Sequence, residues 1–329
     1  MTRIKIEIIV RVSGWFWTMN LMLPTKRHAG WIPAALILLS GPVAPSLWAA
    51  VIFQGTSPHH HIQVVDNNGI RTLSFNGSQE TRMSLRNHLQ GHFAYTEYFH
   101  MPWIWNNQIT NVLMMGLGGG SAQRQYQFSY PEVHIDTVEL DPMVIDVAKR
   151  YFNVRPSDKH RIIRSDGRLY LRRTRKKYDV ILMDAYTANR YGSFIPYPLV
   201  TKEFFRLARN HLTDDGVIAY NVIGTMKGWR ADILGAVYKT MKSEFPNVYL
   251  FPAPDSLNVV LIATQSAKTY NAAMIRQRTA EVIRNKRMKM RTFATRAKAI
   301  RFDAPRTAAR SPVLTDDYAP VDGLLTRVR

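Results

Sequence analysis

The sequence predicts an α/β protein, a seven-stranded and mostly parallel sheet flanked by helices, with a small antiparallel β module ahead of it. Three observations carry this prediction. Residues 110–141 set an apolar run, 112–115, before Gly116-Leu117-Gly118-Gly119-Gly120, followed by a helix-like stretch and a second apolar strand, 135–140. Acidic residues then recur at the tips of successive apolar strands, Glu139, Asp166 and Asp184. Finally, two strands at 248–251 and 258–263 read as a closing antiparallel hairpin.

The chain begins with a segment, 1–50, that carries targeting signals. Lys26 and Arg27 precede an apolar stretch from 31 to 39, and small residues end it at Ala49-Ala50. That order of charge, apolar core and small residues is the order of a secretory signal, and the core is too short to span a bilayer comfortably. Membrane association or a periplasmic location is therefore expected, or a cytoplasmic one if the segment is not used. Residues 51–105 form the β module and one helix. Asn68-Gly69 and Asn76-Gly77 separate β-rich runs at 62–65 and 70–75 and mark hairpin turns. His59, His60 and His61 stand together, but on a strand only His59 and His61 could share a face. No further ligands cluster with them, and no metal is expected. An aromatic helix is predicted over 87–105, where Tyr95 and Glu97 point in different directions, so only one need face a cleft.

The sheet domain spans 106–266. Glycines at 116, 118 and 120 let a backbone approach a ligand closely, and a carboxylate at the end of the following strand, Glu139, can accept from both hydroxyls of a ribose. The compact G-x-G-x-G turn followed by Glu139-Leu140-Asp141-Pro142 suits a nucleosyl-methionine site, in a class I methyltransferase-like (Rossmann-like) sheet, better than a dinucleotide site. Pro142 opens a helix to 152, where its missing donor does no harm. A strand at 161–164 leads to Ser165-Asp166-Gly167 and a helix to 173, and a strand at 178–183 leads to Asp184. Ligands of open α/β sheets lie beyond the carboxyl ends of the strands, so the three acids are expected in one crevice. The following loop, with Tyr186, Thr187, Tyr191, Phe194 and Tyr197, reads as a substrate lid or a packed connection. A helix from 199, a strand at 217–222, a helix over 229–245 and the final hairpin complete the domain.

With 46% hydrophobic residues the 329-residue chain can bury a substantial core, and with no cysteine it can hold no disulfide, thiolate metal site or cysteine nucleophile. Its net charge is +20. Thirteen lysines and arginines between Lys268 and Arg310 face only Glu281 and Asp303, so over half of that charge lies between those two residues, inside the basic tail, 267–329. Such a tail suits nucleic acid or an anionic membrane, or is a solvated helix face.

Taken in order, Ser57-Pro58-His59-His60-His61-Ile62, Tyr95-x-Glu97, the glycine turn, Val138-Glu139-Leu140-Asp141-Pro142, Asp166-Gly167, Tyr178-Asp179-Val180-Ile181, Asp184 and Thr201-Lys202-Glu203-Phe204-Phe205 resemble the spermidine synthase (polyamine aminopropyltransferase) family. The likeness covers about 51–265, and Leu314-Thr315-Asp316-Asp317-Tyr318-Ala319-Pro320-Val321 resembles the end of bacterial spermidine synthase-like chains. The resemblance implies decarboxylated S-adenosylmethionine as co-substrate, a polyamine such as putrescine as acceptor, and a homodimer. It implies that Glu139 holds the ribose, Asp166 the adenine amino group, and Asp184 acts as base beside the acceptor amine, which Tyr95 helps to line. The sequence departs from the family at three places. Gly119 stands where G-G-G-D-G has its acid, Thr187 where D-S-x-D has its second acid, and His60 where a glutamine is usual. Losing two charge-assisted bonds of roughly 1.5–3 kcal/mol each corresponds to two to four orders of magnitude in diamine affinity. Intact S-adenosylmethionine with another acceptor, or a nucleoside-binding homologue without turnover, are the alternatives these departures leave open. Export would also separate the enzyme from adenosylated donors, which are made in the cytosol.

Overall fold

The computed structural model describes residues 3–12, 15–24, 49–189, 192–228, 230–285 and 288–326. The chain divides into two units, 1–46 and 47–329. In the first, β1 (Arg3–Val12) and β2 (Trp15–Pro24) form an antiparallel ribbon with Val12 opposite Trp15. The signal-like stretch 26–48 lies outside the described residues. Among the described residues, no helix is long and apolar enough to cross a membrane.

The second unit opens with β3 (Ala50–Thr56), β4 (His61–Asn67), β5 (Ile70–Phe75) and β6 (Ser78–Ser84), an antiparallel sheet in sequence order. Its two tight turns follow from local chemistry. Asn68 and Gly69, and again Asn76 and Gly77, hold positive φ at both central positions, as a hairpin turn matched to strand twist requires. Alternation then puts Ile62, Val64, Leu73, Phe75 and Met83 on one buried face.

The helix predicted over 87–105 forms only from Ala94 to Ile104, and as a 3-10 helix. Pro102 lies inside it and removes a donor while disfavouring α geometry at Met101. Most of its side chains from Thr96 onward are buried, so it is a core element with no solvent face to make it amphipathic.

The main sheet is built from β7 (Asn111–Met115), β8 (His134–Glu139), β9 (His160–Arg164) and β10 (Tyr178–Met183), a short ribbon β11 (Thr187–Asn189) and β12 (Gly192–Phe194) standing apart, then β13 (Leu212–Ile223), β14 (Asn247–Pro252) and β15 (Asn258–Thr264). Its order is β14-β15-β13-β10-β7-β8-β9. Six strands share one direction, and β15 runs antiparallel between β13 and β14. The chain winds outward from β7 through β8 to β9, then returns to β10 on the other side of β7. That reversal opens a crevice above the carboxyl ends of β7 and β10. Helices α1 (Ser121–Ser129), α2 (Pro142–Tyr151), α3 (Gly167–Arg173), α4 (Lys202–Asn210) and α5 (Ala231–Lys242) connect the strands. The helix expected from 199 starts at Lys202, because the Thr201 hydroxyl caps it by accepting from Phe204 N, and a 3-10 turn fills 197–199. That expected over 229–245 is shorter at both ends, and Trp229 and Tyr191 lie outside the described residues.

The basic segment from 267 onward folds onto the sheet. Ile275 and Val282 of α6 (Ala272–Arg284) and Phe293 and Ala297 of α7 (Phe293–Ala297) join the core on the face that carries the 3-10 helix. Leu314 and Val321, the latter opening α8 (Val321–Thr326), join the core on the opposite face. The backbone of Arg301 exchanges hydrogen bonds with Leu250 on edge strand β14, 2.8 and 3.1 Å. The closing motif also has a structural role. Asp316 receives both guanidinium nitrogens of Arg168, from α3, and the hydroxyl of Thr201, the cap of α4.

Candidate active site

Above the sheet reversal lies a cavity of about 250 Å³. Its floor is the glycine turn after β7. Gly116 and Gly118 have φ of 94° and 51°, and a Cβ on Gly116 would collide with the carbonyl oxygen of Asp184. Gln123 donates to the Gly116 carbonyl at 3.0 Å and holds the bend from α1. Gly120, expected at the ligand, lies behind the cavity instead. Its left-handed φ of 71° starts α1, and a Cβ there would strike Val154. Its conformation shapes the turn.

His60, Tyr95, Gly116, Gly118, Glu139, Asp166, Gly167, Asp184 and Thr187 all line this one cavity. Glu139 ends β8, and its two oxygens accept from Asp141 N at 2.9 Å and Leu117 N at 3.0 Å. Each oxygen keeps lone-pair capacity toward the cavity. Burial raises its pKa, which those backbone bonds oppose. Asp141 and Asp166 are N-caps, accepting from Met143 N and Leu169 N at 2.8 Å each. Each therefore has a local reason for its place as well as a position on the cavity wall.

Asp184 follows the end of β10 and is half-buried on the cavity wall. Its Oδ2 accepts from the Tyr95 hydroxyl at 3.0 Å and its Oδ1 from Asn221 Nδ2 at 2.9 Å. Burial pushes its pKa up to about 6, against the pull of those two donors. Asn221 is itself oriented by Asn258, whose Nδ2 donates to Asn221 Oδ1 at 3.0 Å. Two residues apart, Tyr95 and Glu97 diverge: Tyr95 turns to Asp184, while Glu97 binds Arg296 and Thr292 of the C-terminal segment. His60 stacks on Phe75 with ring centroids 4.5 Å apart, and burial lowers its pKa. Its neighbours His59 and His61 are exposed. Among the described residues no group of three or more His, Asp or Glu is placed to hold a metal ion.

The two missing acids have different causes in space. Gly119 N donates to Thr81 Oγ1 at 2.9 Å, and a Cβ at 119 would sit 2.6 Å from Thr81 Cγ2 and 2.9 Å from Phe152 Cδ1. Position 119 thus has no room for a carboxylate. Thr187 faces the cavity as an uncharged hydroxyl at the start of β11.

Sequence reasoning missed Asn221 and Glu80. Asn221 is a polar residue inside an otherwise apolar buried strand, and that break in the pattern was the available signal. Glu80 lies on β6 and lines the cavity, accepting from Ser193 Oγ at 2.6 Å. Burial first, and the Asp184 charge after it, push its pKa up to about 7. Nothing local distinguishes it from any strand glutamate. Among the described residues lining the cavity, Glu80, Glu139, Asp141, Asp166 and Asp184 are acidic and none is Lys or Arg. In a chain of net charge +20, the cavity wall is thus locally acidic, and charge elsewhere on the surface is screened within about 8 Å.

Residues 92–274 match the family model described as the spermine/spermidine synthase domain. The chain is 31% identical over 221 residues to the polyamine aminopropyltransferase of Vibrio vulnificus, covering 65% of this chain and 72% of that protein. It is 29% identical over 326 residues to a probable polyamine aminopropyl transferase of Bifidobacterium longum, covering 92% and 69% respectively. Among solved structures, a probable spermidine synthase from Corynebacterium glutamicum superposes with a TM-score of 0.61 at 16% identity, over 85% of this chain and 99% of that one.

Proposed function

The chain belongs to the spermine/spermidine synthase family and is a transferase of that kind, and from this premise we propose that it moves an aminopropyl group from decarboxylated S-adenosylmethionine to a polyamine acceptor such as putrescine. The observation that carries the proposal is the meeting of Asp184, Tyr95 and Glu139 in one acidic cavity over the glycine bend. The residues fit a nucleoside. Gly116 and Gly118 put bare backbone at positive φ on the cavity floor, and Glu139 presents two anchored oxygens to a ribose.

The acceptor must attack as a free amine, and an ammonium with a pKa near 10 loses about 4 kcal/mol to deprotonation at neutral pH. Asp184 is held to receive that proton. Burial raises its affinity for the proton, and the same burial lowers the ammonium's, so the gap between the two groups narrows. Tyr95 and Asn221 hold the carboxylate oriented, so the lone pair develops toward the carbon next to the sulfonium. The leaving thioether needs no proton, and the remaining work is alignment.

Purified protein incubated with putrescine and decarboxylated S-adenosylmethionine tests this. Spermidine and methylthioadenosine should appear together, and formation of neither refutes the proposal. The glycine at 119 favours a second reading, intact S-adenosylmethionine as donor, because no acid stands there to repel the donor's carboxylate. Calorimetric titration of both donors separates the readings: tighter binding of the carboxylated form contradicts the first.

A further inference from the structure

We propose that Glu80 is a second anionic anchor of the cavity, holding the far ammonium group of a diamine acceptor whose near amine sits at Asp184. The inference rests on the aminopropyl-transfer reading and assigns a charge that the family motifs at 119 and 187 do not supply in this chain.

Glu80 comes from β6 of the β module, opposite the strand ends that carry the other acids. Its Oε1 accepts from the Ser193 hydroxyl at 2.6 Å, and the Ser193 oxygen lies 2.8 Å from Ser78 Oγ. Ser193 donates to Glu80, and the Ser78 hydroxyl beside it also hydrogen-bonds toward the carboxylate. Such a chain stabilises a charge on Glu80. Ser193 belongs to the β11–β12 ribbon that also carries Thr187, so the charge lies beside the place where the family's second acid is replaced. A buried carboxylate without a cation is costly. No Lys or Arg is among the described residues of the cavity wall, and the charged group that acts on Glu80 most directly is another acid, Asp184. A dication spanning the two relieves both. A monoamine relieves one.

The test is calorimetric titration of putrescine and of butylamine, each in the presence of methylthioadenosine, against the full chain and Glu80→Gln. The amide keeps the shape and removes the charge. Putrescine binding should weaken about 10- to 100-fold in the variant, while butylamine binding stays within about threefold. Unchanged putrescine affinity, or equal weakening of both amines, overturns the proposal. If the variant fails to fold, the unaltered protein decides. The ratio of putrescine to butylamine affinity should rise at least about fivefold from pH 6 to pH 8 as Glu80 ionises. Asp184 also titrates in this range but meets both amines, so it cancels in the ratio, and burial keeps the facing Tyr95 and Tyr186 neutral. A flat ratio overturns the proposal. If neither amine binds the unaltered protein, the aminopropyl-transfer reading itself falls, a result distinct from binding without selectivity.

Discussion

Replacing Asp184 with asparagine isolates proton transfer from binding. The carboxylate has its pKa raised from 3.8 to about 6 by burial. Relative to an ordinary aspartate, that shift brings it closer to the ammonium by about 3 kcal/mol, at 1.36 kcal/mol per unit. An amide keeps the shape but accepts no proton, so kcat should fall by about 10²–10⁴, equivalent to about 3–5 kcal/mol in the barrier. Only one of the two donors, Tyr95 and Asn221, can then meet an amide oxygen, which reduces stability by about 1 kcal/mol. The assay is the rate of methylthioadenosine release at saturating acceptor from pH 5 to pH 9. Asp184 acts in its ionised form, so activity is lost as pH falls through its folded-state value, and the acid limb should bend near 6. In the variant this bend should vanish, and methylthioadenosine affinity should stay within a few-fold because Glu139 is untouched. A variant that keeps its rate within tenfold, or keeps the bend, would show that Asp184 is not the base.

Glu139→Gln places an amide NH₂ against one of the two backbone N–H groups that the carboxylate now accepts. Methylthioadenosine affinity, read by calorimetry, should drop about 10- to 100-fold. Gly119→Asp, which restores the family's acid, should lower stability by about 1–3 kcal/mol in denaturant unfolding, because its Cβ meets Thr81 and Phe152. It should not raise activity, and a faster enzyme would contradict the packing argument. Deleting 267–329 should prevent folding rather than free a soluble domain. It removes Ile275, Val282, Phe293, Leu314 and Val321 from the core, each contributing about 1.5–3 kcal/mol of burial against a typical total stability of about 5–15 kcal/mol. A folded, cooperatively melting truncation by circular dichroism would refute this.

What the sequence determined on its own was local. The Asn-Gly turns, the glycine bend, Pro142 at a helix start and the acids at strand tips each follow from the backbone preferences of a few neighbouring residues, and periodicity supplied the sheet. Those features were enough to bring Glu139, Asp166 and Asp184 to one crevice, because a parallel α/β sheet sends all its strand ends to the same side. Tertiary packing alone decided that Tyr95 rather than Glu97 reaches Asp184, 89 residues away, and that Ser193 bonds Glu80 across 113 residues. It also decided that Gly120 is hidden, that position 119 is filled from β6 and the end of α2, and that the basic segment contributes side chains to the core. Those outcomes depend on which surfaces meet once the elements dock. No short-range rule encodes that, because the partner atoms belong to residues with no fixed separation along the chain.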